Sequence, residues 1–586
     1  MHAFLRRWSL LMLMLGAAPS RAFVPPEVQF SLQHLKPAER ARAARALGPL
    51  EGLPRYQVQL EVEPEEREVK GHLRVELPAR GRPLEAVPLR VTPNVFGRRV
   101  SLSGAKVDGE PAKLEHPEPG LFRVPLASAV PPGKSVVVEV DLVARVPRAK
   151  AGSSSLLGAL GDEGGDYGAF SATEDFLSLV GVVPLVPPLD GEGNPSASPA
   201  GVGDLALYEP SHVLATVIVP SGWQVHATGV PIGEVPQRNG RVRYAFAAGA
   251  VRDFPVFVSR GYASATATVK GITVESHFAA RDAEAGKRVL KYARDAIVEM
   301  ERRLGPLPYT HFRVVEAPLT GGAGGMEFQG LITVGTSLYR AVTDPDSVVG
   351  GVPGMGQMQG LLAAMGGQGA QFKTLGETLE RTLEFTVAHE VGHQYFAGLV
   401  GTDPVLAPVA DEALTQYVAL LYVEWKHGRQ AAARTRQEAL VSAYQLYRLS
   451  GGPDGAANRR TADFNGSLEY GALVYGKAPL LFEASRKLIG DEAFFKALRS
   501  YVDTYRFRWA CSDCFTRELG KASPSQARAL ERLRVRWWEE THGDEDLGAF
   551  DMAALLGGAG AGGLDGQLDA ETLKLIEELL PGLLSQ

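Results

Sequence analysis

Between residues 55 and 257 apolar and polar side chains alternate with a period of two, as in Tyr56-Gln57-Val58-Gln59-Leu60-Glu61-Val62, His72-Leu73-Arg74-Val75-Glu76-Leu77 and the run at residues 136–143. Successive side chains of an extended chain point to opposite faces, so the pattern predicts strands with one buried face. Clusters such as Pro131-Pro132-Gly133 supply turns, and the region reads as an antiparallel β-sandwich interrupted by a polar loop at residues 191–196. After Ser276 the period changes. Val289, Leu290, Ala293, Ile297 and Met300 recur at helical spacing, and Gly305-Pro306 ends a helix expected at residues 283–304. Strands at 312–315 and 331–334 flank a glycine-rich turn, and helices follow at 375–396, 411–425, 430–449 and 470–488. The chain then stays mostly helical to residue 541.

These elements predict an α+β multidomain protein: a leader at 1–22, a β-sandwich domain at 23–262, a mainly helical domain at 263–550, and a tail at 551–586. The tail reads as a Gly-rich linker and a short amphipathic helix at 569–580 with Asp569 as its N-cap. A length of 586 residues exceeds what one core supports, in agreement with several domains.

A net charge of -6 with no basic block excludes a surface that tracks a phosphate backbone, so nucleic acid is not an expected partner. Arg6 and Arg7 precede an apolar stretch at residues 8–18, and Ser20-Arg21-Ala22 offers small residues for cleavage. The segment reads as a signal peptide, and the protein as exported, periplasmic or secreted. The apolar stretch is shorter than a spanning helix needs, so membrane attachment is not expected after cleavage. The two cysteines, Cys511 and Cys514, then suit a local disulfide; two thiolates cannot complete a tetrahedral zinc site.

Chemistry concentrates in His389-Glu390-Val391-Gly392-His393. Histidines at i and i+4 share one helix face and can reach one metal ion, while the glutamate beside the first points at water on that ion. Eighteen residues separate His393 from Glu412, which sits in Ala410-Asp411-Glu412-Ala413-Leu414-Thr415 at the start of an expected helix. It can complete a His2Glu site that leaves one position to water, or simply complement the helix dipole.

With these motifs the sequence resembles the alanyl aminopeptidase family of gluzincins, zinc metallopeptidases whose third ligand stands at this spacing. The resemblance runs from Tyr56 to Trp537-Trp538, includes Leu177-Ser178-Leu179-Val180-Gly181, and implies a thermolysin-like catalytic fold in a shorter form lacking the long C-terminal helical solenoid. It implies His389, His393 and Glu412 as ligands of one zinc ion and Glu390 as general base. Gly324-Gly325-Met326-Glu327-Phe328 is similar to the family's strand that pairs with the substrate backbone, with Glu327 in the place of the glutamate that holds the free α-amine. Tyr475-Gly476-Lys477-Ala478 is similar to the segment whose tyrosine stabilises the oxyanion. The implied substrates are peptides with a free amino terminus, cleaved at their first peptide bond.

The sequence departs from the family at Phe328 (usually asparagine), Ala413 (commonly glycine) and Val409 (often tryptophan), so side-chain preference does not carry over. Two alternatives stay open: a metal-binding pseudoenzyme or binding protein, and an endopeptidase in which Glu327 is only structural. Residues 348–369, with eight Gly, three Met and no charge, read as a flap able to cover an apolar substrate side chain.

Overall fold

The computed structural model describes residues 25–97, 100–149, 165–199, 201–205, 208–344 and 368–548. The leader, the flap expected at 348–369 except for its last two residues, and the tail helix lie outside them.

The alternating segments are strands. In β1 (Arg55–Glu63) the side chains of Tyr56, Val58, Leu60 and Val62 are buried while their neighbours reach towards solvent. β2 (Glu68–Pro78) and β8 (Ser135–Arg145) continue this face, and all three belong to an eight-stranded sheet completed by β4 (Val100–Val107), β5 (Glu110–Pro111), β11 (Ser211–Pro220), β13 (Val230–Pro236) and β14 (Arg241–Val251). One pairing departs from the antiparallel expectation: β1 runs parallel to β11, because the chain crosses over to the far side of the sheet before returning. A three-stranded sheet, β3 (Leu84–Arg90), β6 (Glu115–Glu118) and β7 (Leu121–Val130), packs on the same apolar core. So does a four-stranded sheet of β9 (Phe170–Ala172), β10 (Phe176–Leu179), β12 (Trp223–Ala227) and β15 (Val256–Arg260).

At Gly261, which has a positive φ of 71°, the chain leaves the last of these sheets and enters another. β16 (Tyr262–Val269), β17 (Ile272–Ala279), β18 (His311–Ala317), β19 (Gly325–Phe328) and β20 (Leu331–Gly335) form a mixed five-stranded sheet ordered 16-17-18-20-19. β19 is its edge, paired on one side only, with β20. The new sheet opens with Tyr262, the first residue of β16.

The first described residues depart from that division. Two helices that period-two reading misses, α1 (Pro26–Ser31) and α2 (Pro37–Leu47), precede β1. Leu35, Ala43, Leu50 and Leu53 join the apolar core of the helical domain rather than that of the sandwich, and Arg506 pairs with the buried Glu39 of α2 at 3.1 Å. α1 lies against the sandwich, where Ser31 Oγ donates to Val213 O, while the residues after it join the helical domain, so this segment bridges the two.

α3 (Ala283–Leu304) buries Val289, Ala293, Ile297 and Met300, the stripe read from the sequence. Then come α4 (Thr336–Thr343), α5 (Gln368–Gly392) and α6 (Glu412–His427). The helix expected at 430–449 has three parts: α7 (Arg429–Thr435), a π-helical turn at Arg436–Val441, and α8 (Ser442–Leu449). A second π-helical turn, Gly471–Lys477, leads into α9 (Leu480–Tyr505). Among the described residues no helix is long and apolar enough to cross a membrane.

Candidate metal centre and active site

α5 packs through Leu379, Leu383 and Val387, which fixes the helix face carrying His389 and Glu390. His393 is the first residue past its end. Gly392 lets α6 approach closely: a β-carbon there would lie 2.9 Å from Thr415 Cγ2. Asp411 caps α6, its Oδ1 accepting from Glu412 N at 2.7 Å while Thr402 donates to Oδ2 at 2.9 Å. A capped first turn holds Glu412 in place, and Thr402 ties that turn to the loop that follows His393.

The Nε2 atoms of His389 and His393 are 3.0 Å apart, and Glu412 Oε2 lies 3.2 and 3.3 Å from them. All three side chains are buried. His393 Nδ1 lies 3.0 Å from Phe396 O, so the proton belongs on Nδ1 and the Nε2 lone pair faces the other two donors. Glu412 Oε2 has no hydrogen-bond partner. Two imidazole nitrogens and a carboxylate oxygen within 4.8 Å of one another form the donor set of a divalent ion, and nitrogen with one carboxylate suits zinc. Burial alone would raise the Glu412 carboxyl, but His393 and His389 outweigh it and hold it well below its usual range.

Glu390 lies beside this group, with Oε2 lacking a partner, and burial pushes its carboxyl well up despite His393. Gly325 of the edge strand packs directly against it. The same strand brings Glu327 to the cavity, and burial raises that carboxyl too. Met326 is buried in a small apolar cluster, and Gly324 stands opposite Thr386. Tyr475, on the π-helical turn, donates its hydroxyl to Glu412 Oε1, and its ring lies 5.8 Å from that of His389. One cavity of about 450 Å³ is lined by Gly324, Gly325, Met326, Glu327, His389, Glu390, His393, Glu412 and Tyr475 together.

The departures from the family pattern are buried. Phe328 packs edge-on to Phe257 of the sandwich domain at 6.0 Å, and both Val409 and Ala413 are fully covered. Cys511 and Cys514 are disulfide-bonded, away from the cavity lining.

Several residues that sequence reading passes over position the site. Gln394 donates to Phe328 O at 3.0 Å and accepts from Gly330 N at 2.8 Å, so the residue after His393 clamps the end of the edge strand. Gln329 donates to Gly398 O at 2.6 Å. The buried Arg252 donates to Gly398 O, Tyr208 O and Arg508 O at 3.2, 3.2 and 3.0 Å and stacks on Trp509, linking both domains to the loop after His393. Neither Arg252 nor Gln394 carried a local signal.

Residues 372–537 match the peptidase family M1 domain. A search of the curated proteins gives no match. Among solved structures the chain is similar to the M1 zinc metallopeptidase from Deinococcus radiodurans, at 18% identity and a TM-score of 0.56, over 83% of this chain and 94% of that one. It is equally similar to a mutant of that protein bound to a Tyr-Ser-Ala substrate, at 18% identity and a TM-score of 0.55 over the same shares. Sequence identity at this level speaks for the shared two-domain fold, the domain match for the chemistry. Residues 372–537 thus match an M1 peptidase domain, and the donor set His389, His393 and Glu412 lies inside that match.

Proposed function

We propose that the protein is an aminopeptidase that removes the first residue of peptides with a free amino terminus. The observation that carries this reading is the placement of Glu327: a carboxylate on an edge strand, in the same cavity as Glu390 and the metal donors. An edge strand offers unpaired backbone groups to an extended peptide. A carboxylate at its end favours a cationic amino terminus over a blocked one, since a shielded charge left without a partner is unfavourable.

His389, His393 and Glu412 would hold zinc, which supplies an acidified water and a polarised scissile carbonyl. Glu390 accepts the proton of the attacking water and returns it to the leaving amine. Tyr475 is placed beside Glu412 to donate to the oxygen on which negative charge develops. Gln394 and Gln329 keep the edge strand in register with the end of α5, so substrate backbone and base stay aligned. We further propose that the protein is exported, a reading supported by the leader and by the disulfide, which persists in an oxidising compartment.

The test compares hydrolysis of aminoacyl-arylamides with that of their N-acetyl forms, for zinc-loaded wild type and Glu327→Ala. Wild type should cleave the free forms and spare the blocked ones, and the variant should lose this discrimination. Equal cleavage of both forms by wild type would make the protein an endopeptidase.

A further inference from the structure

Lys477 closes the π-helical turn that carries Tyr475, and it is fully buried. Its Nζ donates to Glu540 O at 2.8 Å, to Asp454 Oδ1 at 2.9 Å and to Gly455 O at 3.0 Å, so all three N–H bonds are used. The chain also holds Asp454: Gly455 N donates to Oδ1 and Gly543 N to Oδ2, both at 2.8 Å. One ammonium therefore joins three segments, the turn, the loop at residues 454–455 and the stretch at residues 540–543. An apolar side chain of similar length would fill this space without taking a charge out of water. What the ammonium adds is direction, because three short bonds to three separate acceptors leave the turn a single orientation.

Two residues apart on one turn, Tyr475 and Lys477 do not share a face. Tyr475 lines the active-site cavity and donates to Glu412 Oε1, whereas Lys477 is buried in the core behind the turn and is not part of the cavity lining. Gly476, between them, has no room for a side chain. A β-carbon there would lie 2.9 Å from Leu440 O and 3.2 Å from Tyr444 N, backbone atoms of the other π-helical turn and of α8. Just beyond, Trp538 donates its Nε1 proton to Ala478 O at 3.2 Å. A π-helical turn is a rare backbone form. This one is wedged at its middle and tied at its end.

We infer that Lys477 is a positioning residue for the reaction: its ammonium fixes the turn so that the Tyr475 hydroxyl stays at the metal donors, where the oxyanion develops. This rests on the reading of Tyr475 as the oxyanion donor. Such a donor tolerates little displacement, and a shift of about 1 Å costs about 10²-fold in rate. None of the Lys477 bonds goes to His389, Glu390, His393 or Glu412, so its influence passes through the turn alone.

The experiment is a double-mutant cycle on the zinc-loaded protein with Lys477→Met and Tyr475→Phe, read as kcat and KM for leucyl-arylamide hydrolysis. Lys477→Met alone should lower kcat at least about tenfold and change KM by less than about twofold. In the Tyr475→Phe background the same substitution should lower kcat by less than about twofold, because the hydroxyl it orients is gone. An unchanged kcat in Lys477→Met overturns the inference. Losses that multiply across the cycle overturn it too, since a general weakening of the fold acts whether or not the hydroxyl is present. If Lys477→Met fails to fold because Asp454 is left unpaired, Lys477→Met/Asp454→Asn removes both charges and carries the same expectation. A crystal structure of the Lys477 variant keeps the two readings apart. Wild-type kcat in Tyr475→Phe would sink the oxyanion reading, and the position of the Tyr475 hydroxyl would still decide the role of Lys477: displacement from Glu412 Oε1 by about 1 Å or more supports it, and an undisplaced hydroxyl overturns it.

Discussion

Gly325 and Glu390 are in contact across the active-site cavity: a β-carbon on residue 325 would lie 2.6 Å from Glu390 Cγ. The edge strand thus forms one wall of the slot that holds Glu390, the proposed general base. Gly325→Ala should push the Glu390 side chain aside by a fraction of an ångström to an ångström. Misplacement on that scale lowers kcat by about 10²-fold. Zinc content, measured by atomic emission, should not change, because Gly325 touches none of the three donors. A variant with wild-type kcat would show that the contact is soft.

Glu390→Gln and Glu412→Ala should separate chemistry from metal retention. The amide cannot accept a proton, so Glu390→Gln should lose at least about 10³-fold in kcat while keeping one zinc per chain. Removing the Glu412 carboxylate leaves two imidazoles, and zinc affinity should fall by more than about 10²-fold. Full zinc occupancy in Glu412→Ala after dialysis would place the third ligand elsewhere.

Tyr475→Phe removes the hydroxyl that now rests on Glu412 Oε1. If that hydroxyl donates to charge present only in the transition state, kcat should drop by about 10²–10³-fold with KM nearly constant. A change confined to KM would make Tyr475 a ground-state contact.

What was legible in the sequence follows from how local each signal is. His389 and His393 share a helix face four residues apart, so that pair could be read directly, whereas Glu412 could be placed at a helix start but became the third donor only through resemblance. Glu327 and Tyr475 were legible only through resemblance, because nothing local distinguishes a strand-end glutamate or a tyrosine on a π-helical turn. Arg252 and Gln394 work through partners far along the chain, such as Arg508 for Arg252 and Phe328 for Gln394, and no period or spacing encodes such contacts. The strands of the sandwich were visible from alternation, but the parallel pairing of β1 with β11 was not, since a period of two is blind to direction. α2 was missed for a related reason: its Ala- and Arg-rich sequence shows no apolar stripe, and it is held by Glu39–Arg506 and by Lys36–Glu301 at 3.1 Å rather than by a broad apolar face.

The pairing of Glu275 with Arg313 should make stability fall in acid. The two residues stand opposite each other on β17 and β18, with Arg313 Nε 2.8 Å from Glu275 Oε2. Arg313 also donates to Ala227 O and Gly229 O at 2.7 and 2.6 Å, so this buried cation joins the catalytic sheet to the sandwich. Burial alone would raise the Glu275 carboxyl, but the His277 ring 3.6 Å away and the Arg313 charge outweigh burial and hold it at about 2. A carboxyl depressed in the folded state contributes stability that is fully present above its unfolded value of about 4.3 and is lost as pH falls through the folded value. The contribution, discounted for partial exposure, is roughly 2 kcal/mol. Glu275→Gln leaves Arg313 without a counter-charge, so at pH 7 the variant should unfold at a lower urea concentration than wild type. As pH is lowered from about 4.5 towards 2, wild-type Glu275 becomes protonated and resembles the amide, and the gap between the two midpoints should close. Zinc release in acid affects both proteins alike and cancels in that difference. A gap that stays constant down to pH 3 would mean that Glu275 contributes by packing rather than by charge.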